Sequence, residues 1–294
     1  MLRKIRTLAL LAAALGFTLA SAARADSEHH LLWKIHGKRN TVYLLGSIHV
    51  LRERDYPLPP PLMEAYEKSK SVVMEIDLND LDSMRMQQEM IEAATLPDGK
   101  TLHDILGAGR YSHAKALAAD VGVDLETFDQ FAPWFVAEAI SQLQLMQLGF
   151  DPAAGVEMYF LGRARSDSKS TGGLETAHDQ IALFESMSEE RQADYLLSSL
   201  EEAKALPTEV NAMVAAWRRG DTAWFDAQME HEFGRDPRLF QSVLAARNRK
   251  WIPRIEALLN DDKNYLVIVG AGHLVGHDSV IDLLQHDGLT VQQQ

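Results

Sequence analysis

Four residues stand where an apolar strand gives way to a loop, at positions a hydrophobic core would not fill this way. His49 follows Gly46, Glu75 follows Val72-Val73-Met74, Glu175 follows Gly172-Gly173-Leu174, and His273 follows Gly270-Ala271-Gly272. In open α/β sheets, sites form just beyond the carboxyl ends of the strands. Two imidazoles and two carboxylates on one such rim would share a crevice, and the glycines permit tight turns and close backbone approach. The set offers two kinds of chemistry. Imidazole nitrogen with carboxylate oxygen suits Zn, Mn, Fe or Co better than Mg or Ca, and a bound ion would polarise a carbonyl and acidify a water. Without a metal, a histidine oriented by a glutamate would act as a general base. The sequence leaves both modes open. Taken singly, a strand-end histidine is commonly a structural hydrogen bonder and Glu75 a salt-bridge partner; it is the equivalent placement of the four that singles them out.

A fifth candidate comes from helical spacing. Phe240, Leu244, Trp251, Ile255 and Leu258 trace an apolar stripe, and Arg247 lies on it, followed by Asn248. A buried guanidinium is costly unless paired. Arg247 is therefore expected to reach a site carboxylate or a substrate oxygen, where its rigid fork is useful, the alternative being a side chain that snorkels to solvent. Pro253 would kink this helix unless it falls in a first turn. Other signals fall away. His273 and His277 have i,i+4 spacing but lack the glutamate of a zincin helix. Gly270-x-Gly272-x-x-x-Gly276 misses the dinucleotide spacing, and no Gly-x-Ser-x-Gly elbow is present. His29 and His30 read as part of a mobile terminus. There is no cysteine, which excludes disulfides and thiolate chemistry.

These candidates need a sheet to hold them. Leu31–Ile35 and Thr41–Leu45 read as two strands joined by a turn at Gly37-Lys38-Arg39-Asn40. The Pro57–Pro61 stretch opens a helix near Leu62–Lys70, and Ser71–Ile76 is a short β-branched strand. From Leu81 to Leu206 the pattern is mostly helical, with Pro133 in a first turn and an apolar stripe of Phe135, Ala139, Leu143 and Met146. A short strand is expected over Lys169–Gly172. Two helices meet at Gly220, with Asp221 as N-cap, and another runs from Asp236-Pro237 towards Leu259. Tyr265–Val269 is a buried strand and Val280–Leu284 belongs to a helix. Strands alternating with helices predict an α/β layered fold with a central mixed or parallel sheet, flanking helices and a long helical insertion covering one edge. Val42–His49 echoes Leu266–His273, each an apolar strand running into Gly-x-x-His; chance, duplication or side-by-side strands would all account for it.

The chain has 294 residues and a formal net charge of −13. Residues 1–25 read as a secretory signal peptide: Arg3, Lys4 and Arg6, then the apolar Leu8–Ala20, then Ala23-Arg24-Ala25 with cleavage after Ala25. An uncleaved anchor is the alternative, although the apolar run is short for a span, which needs about 20 residues. Four of the 29 Lys and Arg and none of the 42 Asp and Glu lie in this leader, so the remainder carries −17. Such a surface repels phosphate backbones and argues against a nucleic-acid partner. No linker or charge block divides residues 26–294, so one domain is expected there, in the periplasm or secreted.

The chain resembles the TraB/PrgY/GumN family, most closely its exported bacterial GumN-like members. The matching stretches are Leu32–Ile35, Tyr43–Val50, Tyr56–Pro59, Val72–Asp77, Gly155-Val156-Glu157, Gly173–Thr176 with Gln180, Arg247-Asn248 and Val269–Leu274. The resemblance implies a fold shared with erythromycin esterases and a haem-binding lipoprotein. It also implies kinship with membrane-anchored metalloproteases of the TIKI type, which clip an extracellular signalling protein and depend on Mn or Co. It places His49, Glu75 and His273 at the core of the site as metal ligands, Glu175, Gln180, Arg247 and Asn248 in its wall, and an acidic residue at Glu157. The expectation is a metal-dependent, peptidase-like hydrolase using Mn, Co or Zn on a peptide or protein. Two other readings remain: sequestration of a peptide signal, metal or tetrapyrrole, and metal-free ester or lactone hydrolysis by His49 with Glu75 as its partner.

Overall fold

A computed structural model describes residues 29–78, 83–234 and 237–294. The expected leader lies outside these residues. Among the described residues, six strands form one sheet: β1 (Leu32–His36), β2 (Thr41–Ser47), β3 (Ser71–Ile76), β4 (Ser170–Glu175), β5 (Tyr265–Gly270) and β6 (Val291–Gln293), in the order β4-β3-β5-β2-β1-β6. β2, β5, β3 and β4 run parallel, whereas β1 is antiparallel to both β2 and β6. The sheet is therefore mixed. The strands that echo one another, β2 and β5, lie side by side, with Ser47 opposite Gly270.

The helices are α1 (Pro60–Lys68), α2 (Ser83–Ala94), α3 (Leu102–Asp120), α4 (Pro133–Gln147), α5 (Val156–Ser166) and α6 (Ala177–Glu185). They continue with α7 (Glu189–Glu202), α8 (Leu206–Arg218), α9 (Thr222–Phe233), α10 (Pro237–Phe240), α11 (Ala246–Leu259) and α12 (Val280–His286). Among the described residues, no helix is long and apolar enough to cross a membrane.

The central strands are buried along nearly their whole length, as parallel strands covered on both faces must be. Burying a Leu, Ile or Val there contributes roughly 1.5–3 kcal/mol, which is why these short runs were unambiguous in the sequence. β4 is less apolar and reaches three residues further than expected, so that Glu175 is its last residue rather than a loop residue. The helical stretch is not a single insertion: it returns to the sheet at α5 and β4. The helices on either side of that return, α3, α4 and α7, close on a core of their own that includes Leu106, Leu125, Val136, Ile140, Leu196 and Leu200. The face of α4 differs from the expected one. Leu143 and Met146 are exposed, while Trp134, Val136, Ala137 and Ile140 are buried. Both sides of this helix are apolar, so spacing alone does not choose between them. His30 is also packed rather than free, its N–H donating to the Gln294 carbonyl at 2.6 Å.

The β1–β2 turn is tied to the far end of α11. Asn40 Nδ2 donates to the carbonyls of Leu258 and Lys263, both at 2.7 Å. Gly37 is required beside it, because a Cβ there would stand 2.3 Å from the Leu259 carbonyl oxygen. Replacing Asn40 by Ala leaves two carbonyls without their donor, and the unfolding free energy should fall by about 1–3 kcal/mol in urea titrations. An unchanged midpoint would show that these bonds do not anchor the turn.

Candidate active site

The expected residues meet at the carboxyl ends of the parallel strands. Each is brought there by local constraints. β2 ends at Ser47, and the loop after it packs on the start of α5: Val156 N–H donates to the Ile48 carbonyl at 3.1 Å, and Gly155 lies so close that a Cβ would be 2.2 Å from the His49 carbonyl oxygen. This contact sets Glu157, in the first turn of α5, beside His49. β3 delivers Glu75 and β4 delivers Glu175. β5 ends at Gly270, and the following single turn carries His273 back against α11.

Arg247 binds the cluster together. Its Nη2 donates to Glu75 Oε2 at 2.5 Å and to Glu175 Oε1 at 2.6 Å, and its Nε donates to both Glu175 oxygens at 3.1 and 3.2 Å. Nη1 donates to His273 Nε2 at 3.0 Å and to the Val243 carbonyl at 3.1 Å. Val243 belongs to a π turn, residues 241–245, that precedes α11; the helix itself continues through Pro253. A π turn is a common device at functional sites, and here it is the irregular segment, rather than the proline. Burial opposes the charge on Arg247, but Glu175 and Glu75 outweigh it and hold the guanidinium protonated. The side chain does not snorkel.

The remaining valences are filled. Trp251 Nε1 donates to Glu175 Oε2 at 3.0 Å, Gln180 Nε2 to Glu175 Oε1 and Glu75 Oε2 at 3.0 and 3.2 Å, and the Gly270 N–H to Glu75 Oε1 at 2.8 Å. Burial favours the neutral form of Glu75, but its neighbours His273, Arg247 and His49 and the Gly270 N–H prevail and hold its carboxyl below the usual carboxylate range. His273 is buried, which pushes it down to about 3, so its ring is neutral. Because Arg247 only donates, Nε2 of His273 accepts. The ring proton is then on Nδ1, donated to Asn248 Oδ1 at 2.6 Å, and Asn248 is fixed in turn by donating to the Asp278 carbonyl at 2.8 Å.

His49 is different. Its side chain is 67 % exposed, and its Nδ1 is 2.8 Å from Glu157 Oε1, which also accepts from Ser47 Oγ. Glu157 pushes the His49 imidazole up to about 9, against the opposing effect of its protein surroundings. The partner carboxylate of His49 is thus Glu157, not Glu75 as the metal-free reading supposed. Glu157 Oε2 is buried without a protein hydrogen-bond partner among the described residues, which leaves it an acceptor for a water or an ion.

The three expected metal ligands do not behave alike. A Cβ on Gly270 would stand 3.4 Å from both His49 Nε2 and Glu75 Oε1, and 3.7 Å from His273 Cδ2. The glycine therefore keeps open a small space onto which one nitrogen and one oxygen lone pair face, a pair that fits Mn, Co or Zn. His273 turns only a carbon towards it, its Nε2 being engaged by Arg247. No group of three His, Asp or Glu among the described residues is arranged to hold an ion. Of the three expected ligands, His49 and Glu75 turn donor atoms to this space, and His273 stands in its hydrogen-bonded wall. Gln180 and Asn248 are in that wall too. Spacing gave no hint of the roles of Glu157, Ser47 and Trp251. The motif Gly155-Val156-Glu157 carried the only signal for Glu157, and the tryptophan read as plain core.

Removing Arg247 leaves two buried carboxylates facing each other without a counter-charge. Arg247→Ala should cost about 3–5 kcal/mol of stability, read as a lowered thermal midpoint. A loss below 1 kcal/mol would show that the guanidinium does not hold the cluster.

The profile of the TraB/PrgY/gumN family matches residues 31–293. The uncharacterized protein YbaP of Escherichia coli (strain K12) is 23 % identical over 276 residues, covering 91 % of this chain and 97 % of its own length. Metalloprotease TIKI2 of Xenopus tropicalis is 22 % identical over 91 % of this chain and 60 % of its own length, and metalloprotease TIKI1 of Homo sapiens is 21 % identical over 89 % and 61 %. This chain thus spans about three fifths of the TIKI proteins. No solved structure matches it significantly. With a match over nearly its whole described length, the chain belongs to the TraB/PrgY/gumN family.

Proposed function

We propose that this protein is a hydrolase of the metalloprotease type, acting on a peptide or protein outside the cytoplasm. One observation carries the reading: in a cluster otherwise locked by hydrogen bonds, His49 alone is accessible, held by Glu157 at Nδ1 with Nε2 facing the space above Gly270. A carboxylate on the far nitrogen fixes the ring and raises its basicity, as it does for metal-bound and catalytic histidines. The distant likeness to TIKI metalloproteases supports hydrolysis and a metal, and the leader pattern supports export.

The roles follow from the geometry. A divalent ion at His49 and Glu75 would polarise a scissile carbonyl and acidify a water. Glu75 stays ionised at working pH because Arg247 and the Gly270 N–H hold it so. Arg247 keeps Glu75 and Glu175 apart and fixed, and its charge borders the place where an oxyanion would develop. His273 presents no free lone pair; it buttresses Arg247. Glu157 orients His49 and retains its proton until a cation or substrate displaces it.

His49→Ala should lower turnover of a peptide substrate by about 10²–10⁴-fold with an unchanged circular dichroism spectrum; equal turnover would reject the assignment. A role that needs the His49 lone pair strengthens as pH rises towards about 9, where the proton leaves. In Glu157→Gln that limb should move down towards the ordinary histidine value of about 6.5. A limb unmoved by the substitution would show that Glu157 does not govern His49. Loss of activity on chelation, restored by Mn, Co or Zn, supports the metal; activity that survives chelation assigns the chemistry to the His49–Glu157 pair alone.

A further inference from the structure

The cleft that opens on His49, Glu75 and Arg247 is a cavity of about 390 Å³ with a second, separate set of polar groups. Its walls are apolar, formed by Leu183, Phe184, Met187, Phe233, Leu239 and Val243. Phe184 is held flat by stacking on Trp134, ring centroids 4.9 Å apart. Glu138 from α4, Tyr195 from α7 and Glu232 from α9 also line it. Tyr195 OH donates to Glu138 Oε1. Both carboxylates are exposed to solvent. Glu232 has no hydrogen-bond or ion-pair partner among the described residues. Its carboxyl is pushed up by its surroundings in the cleft and by repulsion from Glu202 and Glu138, with His231 acting the other way.

No cation among the described lining residues answers this negative pair. The guanidinium of Arg247 is committed to Glu75 and Glu175, and His49 to Glu157. The cavity therefore offers an apolar wall and an uncompensated pair of carboxylates beside the reacting groups. A side chain that satisfies both has a methylene stem and a cationic head, because such chains bury the stem on apolar surface while the head keeps polar partners. A norleucine-like chain would bring no counter-charge to the two carboxylates, and an acidic one would be repelled.

We propose that this cleft is the side-chain pocket for a lysine or arginine of the peptide substrate, with Glu138 and Glu232 taking the charged head. This rests on the hydrolase reading, and the test separates the two. Binding of three N-acetylated, C-amidated tripeptides, alike except for a central lysine, norleucine or glutamate, is measured by calorimetry on the full chain and on Glu138→Gln/Glu232→Gln. The lysine peptide should bind at least ten-fold more tightly than norleucine, and glutamate most weakly. In the double variant, its fold checked by circular dichroism, the lysine-to-norleucine ratio should fall towards one. A second variant, Glu232→Lys, should favour the glutamate peptide over lysine. Equal affinities for the three peptides, no binding of the lysine peptide, or a preference that survives the double substitution each overturns the pocket. Lysine selectivity lost in the double variant, together with no cleavage of any of the three peptides, upholds the pocket and overturns only the hydrolase reading.

Discussion

A guanidinium sandwiched between two carboxylates is the constraint on which the site rests. Glu75 and Glu175 arrive on neighbouring parallel strands, and two negative charges at that separation from water would repel each other and the fold would resist bringing them together. Arg247 resolves this by placing one positive charge between them, with donors to both and a third direction left for His273. Every atom of the arrangement has a partner: Trp251 and Gln180 complete Glu175, and the Gly270 N–H completes Glu75. In a low-dielectric setting a fully satisfied network is rigid, whereas a half-satisfied one is costly. That rigidity keeps Glu75 ionised and fixes the neutral tautomer of His273.

Against this fixed background His49 is the group left able to act. It lies just beyond β2, across β5 from Glu75, is anchored from the opposite side by Glu157, and meets Glu75 across a space that exists because residue 270 has no side chain. The two halves of the site are built differently. The Arg247 half is buried and saturated, which suits structure and electrostatics. The His49 half is exposed and contains an unpartnered carboxylate oxygen, which suits exchange of protons, ions or substrate.

The sheet was largely legible in the sequence because its inner strands are continuous apolar runs that no other arrangement buries so well. The strand-end residues stood out for the same reason: histidine and glutamate after such runs need partners. Arg247 was legible from its place on an apolar helical stripe, which made a paired charge necessary. Other features left no such mark. Glu157 lies in the first turn of a helix far along the chain, where an acidic residue is ordinary, and only the packing of Gly155 on His49 brings it into place. The π turn before Arg247 has no sequence signature: the helical run from Pro237 to Leu259 is as read, but its irregularity falls at residues 241–245 and not at Pro253. The tautomer of His273, whose one lone pair is taken up by Arg247, depends on Arg247 and Asn248 acting on opposite ring nitrogens. The face of α4 was misread because apolar residues occur all round it and the sequence does not say which side meets α7.

The geometry singles out one small volume, the space between His49 Nε2 and Glu75 Oε1. Gly270 has an ordinary negative φ of −51°, so an alanine there is compatible with the backbone, and its methyl group would meet both atoms at ordinary contact distance. Gly270→Ala therefore fills the space without dismantling the network around Arg247. The most direct measurement is peptide turnover by this variant alongside its thermal midpoint. The account requires a midpoint close to that of the unsubstituted protein and turnover lost; a folded Gly270→Ala protein with undiminished turnover would place the chemistry elsewhere.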